Sequence, residues 1–119
     1  MGTLDDIARV VRNTKGIYER RRAQVLALCL YYASLAINYF RSEQSSGAFW
    51  KNQSGQARDR MFSGAYQEKD IIAWFMAHGV QYGVYLELAN DGRHEAIRPV
   101  IQRYVGRFYR DLKKLYGEA

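Results

Sequence analysis

The chain has one proline, one cysteine and two histidines in 119 residues, and the scarcity of cysteine and histidine closes off classes of function. A lone thiol excludes an internal disulfide and any C-x-x-C metal pair. Cys29 lies in an apolar run, so it is expected to be a small buried hydrophobe in a reducing environment. His78 and His94 have no second ligand at the spacing of an H-E-x-x-H zinc helix. Neither a G-x-x-x-x-G-K phosphate loop nor a dinucleotide fingerprint occurs. His94 and Glu95 with Glu87 supply a base and carboxylates, but no nucleophile or orienting group accompanies them. The expectation is a protein that is not an enzyme and uses no metal and no cofactor. No secretory leader pattern opens the chain, so export is not expected.

What is present points to surfaces. A length of 119 residues suits one domain spanning 1–119, large enough to bury a core unaided. The net charge of +6 attracts polyanions, whether DNA, RNA, an acidic partner or anionic lipid. Ten tyrosines suggest a self-associating or partner-covered face, because tyrosine offers an apolar body with a polar tip.

Segment 1–16 predicts a short helix. Thr3 stands as its cap, Asp5 and Asp6 sit at its positive end, and Leu4, Ile7, Val10 and Val11 form a stripe. A long helix over 17–41 follows, with two apolar seams. Val25, Leu28, Tyr32, Leu35 and Tyr39 make the first, and Leu26, Leu30, Ala33, Ile37 and Phe40 the second. A surface helix needs one stripe, so the second seam is expected to need a neighbouring body. The uncharged run 23–40 is slightly short for a membrane span, and its polar strip is periodic, so no membrane contact is expected. SEQSSG at 42–47 should end the helix. Phe49 and Trp50 can anchor the loop beyond it. Lys51, Arg58 and Arg60 could touch phosphates or simply flank a turn in water.

Residues 61–67 and 71–77 read as a hairpin turning at Glu68-Lys69-Asp70, the second strand apolar on both faces and therefore covered on both. Gly64 marks a bulge or a close approach. A short helical segment over Tyr82–Ala89, a turn at Asn90-Asp91-Gly92 and Pro99 then lead to a final helix. Its core stripe is Ile97, Ile101, Tyr104, Phe108, Leu112 and Leu115, with Arg103, Arg107, Arg110, Lys113 and Lys114 over much of the rest. Glu87, set among apolar residues, needs an arginine or backbone N–H partner. The expected class is α+β: a long N-terminal helix on a small antiparallel sheet, closed by a C-terminal amphipathic helix.

Two stretches carry a resemblance. Residues 50–58, WKNQSGQAR, match W-x-N-x-T-G-x-A-R with Ser54 in place of Thr. Residues 80–87 match V-x-Y-G-x-Y-L-E, followed by a glycine turn and A-I-x-P-V. In this order the pair, within 50–119, resembles the tail-completion, or head–tail joining, proteins of long-tailed double-stranded DNA bacteriophages. The resemblance implies a structural virion protein of the neck that completes the tail end and joins it to the head connector. It implies a homo-oligomeric ring of six copies around the DNA channel, touching head-closure proteins and tail-terminator or tail-tube proteins. Its places would be the virion and, during assembly, the host cytoplasm. The motif residues, structural or at interfaces, are Trp50, Asn52, Ser54, Gly55, Arg58, Tyr82, Gly83, Tyr85, Leu86, Glu87 and Pro99. The alternative from charge alone is a monomeric basic nucleic-acid-binding module.

Overall fold

A computed structural model of the chain describes residues 3–51, 56–88, 92 and 94–117, apart from the side chains of Tyr82 and Tyr85. The fold is α+β. Its elements are α1 (Thr3–Ser45), α2 (Gln56–Asp59), β1 (Phe62–Glu68), β2 (Ile71–Ala77), α3 (Gln81–Leu88) and α4 (Ile97–Leu115). The molecule measures 74 × 29 × 23 Å. α1 sets the long dimension, since 43 residues of helix extend about 65 Å at 1.5 Å per residue.

One helix runs where two were expected. Gly16 does not break it, because glycine in a helix interior costs only about 1 kcal/mol relative to alanine. The helix also continues past Arg41 to Ser45. Its end is made by Gly47, whose φ of 78° no branched residue would accept comfortably. The Gly47 N–H donates to the Gln44 carbonyl at 2.9 Å, satisfying a carbonyl that the helix end leaves free.

The core sits against the second half of α1. Phe40 stacks on Phe49 with ring centroids 5.6 Å apart and lies 5.6 Å from Trp50. Tyr32 meets Trp74 of β2 and Phe108 of α4 at 6.2 and 5.6 Å. Tyr39 meets Tyr104 at 6.0 Å. The second apolar seam therefore needs less outside help than expected. Ala33, Ile37 and Phe40 are buried by this chain's own sheet and the loop at 49–50, and only Leu30 stays half exposed. Cys29 is buried as expected, and burial pushes its thiol pKa up.

The sheet is two-stranded and antiparallel, with Phe62 opposite Ala77 and Glu68 opposite Ile71. The pairing is continuous, so Gly64 is no bulge. It is a close approach: a Cβ there would stand 3.2 Å from the Phe75 ring across the ladder. Ser63 ties the sheet to α1 by donating to the Ala33 carbonyl at 2.7 Å. Ser63, Trp74 and Met76 face that helix. The opposite face, with Phe62, Tyr66, Ile71 and Phe75, stays open to water, contrary to the expectation that both faces are covered. α4 lies on the same side of the sheet as α1, and so cannot cover it.

Candidate functional site

Two short elements meet at one carboxylate. Glu87, near the end of α3, accepts the N–H of Ala96 at 2.9 and 3.1 Å and that of Ile97 at 3.2 and 3.1 Å. These donors open α4, where a helix start leaves N–H groups without intrahelical partners. The cap position itself is Ala96, which has no side-chain oxygen to offer. Glu87 thus supplies from another helix the oxygen that a local serine or aspartate usually brings, and its charge suits the positive end of the helix dipole.

His78 completes the arrangement. Its Nε2 lies 2.8 Å from Glu87 Oε1, and its side chain is only 3% exposed. Burial pushes the Glu87 pKa up, but the His78 hydrogen bond, the Ala96 and Ile97 amides and the charge of His78 together outweigh it, and the carboxyl ends below its ordinary value. A carboxylate only accepts hydrogen bonds, so Nε2 carries the proton. Nδ1 is buried and has no hydrogen-bond partner. It faces the backbone of Gly83, where a Cβ would come within 2.6 Å of it. The Trp50 ring centroid lies 6.1 Å from that of His78.

Four of the motif residues therefore converge. Trp50, Gly83 and Glu87 pack around or beside His78, and Leu86 is buried in the same core as Trp50, joining the loop after α1 to α3 and α4. Arg58 stands apart, with Nε 2.9 Å from Asp59 and a guanidinium nitrogen 3.0 Å from the Ser45 hydroxyl. It ties α2 to the end of α1. Pro99 is exposed in the first turn of α4. Asn52, Ser54 and Gly55 lie outside the described residues, as do the side chains of Tyr82 and Tyr85.

Gln44 was hidden within a stretch expected to be a polar break. It is fully buried; its Oε1 accepts from the Phe49 and Trp50 amides at 3.1 and 3.3 Å, and its Nε2 donates to the Trp50 carbonyl at 2.8 Å. The signal was present in the second seam, because one further step from Ile37 and Phe40 falls on residue 44.

This cluster is a brace rather than a cleft. The carboxylate is committed to a helix start and to an imidazole, and the imidazole is enclosed. Among the described residues no three His, Cys, Asp or Glu side chains gather as a metal set.

Besides the outer face of the hairpin, a stripe on α1 and a basic hollow on α4 reach solvent. Leu4, Ile7, Val10, Val11, Ile17 and Tyr18 on the first half of α1 are each between 51% and 80% exposed. A basic hollow of about 260 Å³ is lined by Arg107, Arg110 and Lys114 of α4, with Asp111 and the rings of Tyr31 and Tyr32. The Tyr32 hydroxyl donates to Asp111; burial and then that contact push its pKa up to about 12. No protein-family model matches the chain, and no curated protein or solved structure matches it.

Proposed function

We propose that this chain is a structural subunit of a bacteriophage neck, which completes the tail end and joins it to the head connector as a ring around the DNA channel. The observation that carries this is the amount of apolar side chain left open on an otherwise packed fold. One surface is the stripe along the first half of α1, and the other is the outer face of the hairpin. Solvent-exposed apolar patches of this kind mark surfaces that meet other proteins. The motifs at 50–58 and 80–87 supply the phage assignment, and the buried brace around Glu87 gives four of their residues a fold-keeping role. A net charge of +6 suits a subunit beside DNA or the acidic rim of a neighbouring ring.

The test is particle assembly in a phage lacking this chain. Full heads accumulating beside finished, unattached tails is the expected result. Missing tails, empty heads or normal particles would overturn the assignment.

The basic hollow on α4 favours a second function, direct nucleic-acid binding by a monomer. Arg107, Arg110 and Lys114 gather three cations on one face, and phosphate contacts of that kind give sequence-independent affinity that falls steeply with salt. A salt-titrated binding assay on duplex DNA separates the two. Tight, salt-steep binding without self-association supports the monomeric module; weak binding with self-association supports the joining subunit.

A further inference from the structure

We infer that the open stripe on the first half of α1 is the seat of a second copy of this chain, the two arms pairing side by side in antiparallel fashion. The inference stands on the arm itself and does not need the phage assignment.

α1 carries one seam at alternating steps of three and four residues along nearly its whole length. In its second half the seam runs through Val25, Leu28, Tyr32, Leu35 and Tyr39 and is covered by α4. α4 gives out at Arg21, whose guanidinium lies 5.0 Å from the centre of the Tyr116 ring. Beyond that point the same seam continues as Tyr18 and Thr14, half-open at the rim of a hollow of about 650 Å³ shared with Ile72 of β2 and Leu112 of α4, and then as Val11, Ile7 and Leu4, facing water. Val10 and Ile17 widen it. The arm is thus the continuation of an existing helix–helix contact from which one partner is missing. Most helical stability in proteins comes from covering an apolar face, so the sequence invests in an arm that only another surface completes.

Charge and side-chain placement decide both the occupant and its direction. The tip carries Asp5 and Asp6, of which Asp6 also holds Arg9 at 3.1 Å, Arg12 and Lys15 lie midway, and the base carries Glu19, Arg20, Arg21 and Arg22. Antiparallel pairing lays each acidic tip along the other copy's basic base and opposes the two helix dipoles. Parallel pairing would stack tip on tip and base on base. In heptad terms Leu4, Val11 and Tyr18 are a positions and Ile7, Thr14 and Arg21 are d positions. Antiparallel layers then set Leu4 on the stem of the other copy's Arg21, Ile7 on its Tyr18 and Val11 on its Thr14. The flanking Val10 and Ile17 meet each other across the same pairing. In a parallel pair they would be set against Lys15 and Arg22. The arm is therefore matched to its own reverse.

A pair of this kind is closed by its two-fold axis, so it describes the free protein. Ring contacts, which are head-to-tail, join two different patches, of which the outer face of the hairpin is one.

The test uses the full chain. Sedimentation equilibrium is expected to show a mass rising with concentration from 13.8 kDa toward twice that value. Val11→Glu is expected to stay at the single-chain mass, with the thermal melt of the parent at a dilution where the parent is unpaired, because residue 11 is exposed on this chain's own fold. Oxidation of a mixture of Val11→Cys and Thr14→Cys proteins should give a covalent hetero-pair. Leu4→Cys alone should give none, since antiparallel arms hold the two Leu4 positions about 26 Å apart at 1.5 Å per residue. Cys29 is buried and does not compete. A covalent Leu4→Cys pair would overturn the antiparallel direction. A single-chain mass at every concentration, or a monomer that floats with anionic lipid vesicles through its arm, would overturn the pairing itself.

Discussion

The two halves of α1 are equally helical and similarly patterned, yet they have opposite fates. From Cys29 to Gln44 the helix is the centre of the core, with Tyr32, Ala36 and Phe40 at 0–1% exposure. From Leu4 to Tyr18 its large apolar side chains touch water. The difference lies in what the rest of the chain can reach. α4 runs back along α1 only as far as Arg21, and the hairpin, packed on the second half, reaches with Asp70 and Ile72 only to the hollow it shares with Thr14, Ile17 and Tyr18. Amphipathic pattern states that a face must be covered; chain length and topology determine by what.

The largest effect should come from emptying the covered half. Phe40 is fully buried against Phe49 and Trp50, so Phe40→Ala should destabilise the fold by about 3–5 kcal/mol in denaturant unfolding. Next comes the brace. Gly83→Ala would push a methyl to 2.6 Å from His78 Nδ1, forcing α3 away from His78. A loss of about 1–3 kcal/mol is expected, with Ala→Ser at the exposed residue 27 as a near-neutral control.

Glu87→Gln should cost about 1–2 kcal/mol at neutral pH, because the charged cap over Ala96 and Ile97 is lost. Its pH dependence sharpens the point. The folded Glu87 pKa lies below its ordinary value, which is about 4.3 in an unfolded chain. The stabilisation from ionised Glu87 is thus complete above that unfolded value and disappears as pH falls through the folded one. Unfolding free energies of the parent and Glu87→Gln proteins should converge on acidification; a constant gap would remove the ionised cap from the account.

Tyr32→Phe removes the contact to Asp111 while keeping the ring against Trp74 and Phe108. About 1 kcal/mol is expected, read as a lower denaturant midpoint with unchanged slope. The smallest effect belongs to the arm. Ile7→Ser should shift unfolding of the dilute protein by less than about 0.5 kcal/mol, as exposed substitutions usually do. A loss comparable to that of Phe40→Ala would mean that the arm is part of the core after all.

Much of this was legible in the sequence. The hairpin declared itself by two short runs either side of Glu68-Lys69-Asp70, α4 by its stripe from Ile97 to Leu115, and the need of Glu87 for an arginine or backbone N–H partner by its apolar surroundings, the backbone proving to be the one. The rest depended on what only three dimensions decide. Gly16 looked like a boundary, but its cost is small against the helix formers on either side. The second seam looked unpartnered because periodicity does not reveal that the loop at 49–50 and the hairpin return to it. His78 was just one of two scattered histidines until the backbone of Gly83 closed over one nitrogen and Glu87 took the other. Gln44 resembled surface because its type is polar; its position in the seam said otherwise.

Amide hydrogen exchange along α1, followed as a function of protein concentration, tests the division of this helix most directly. Protection over 28–44 should be high and independent of concentration, while protection over 4–18 should be low in dilute solution and rise as copies meet. Equal, concentration-independent protection across both halves would contradict it.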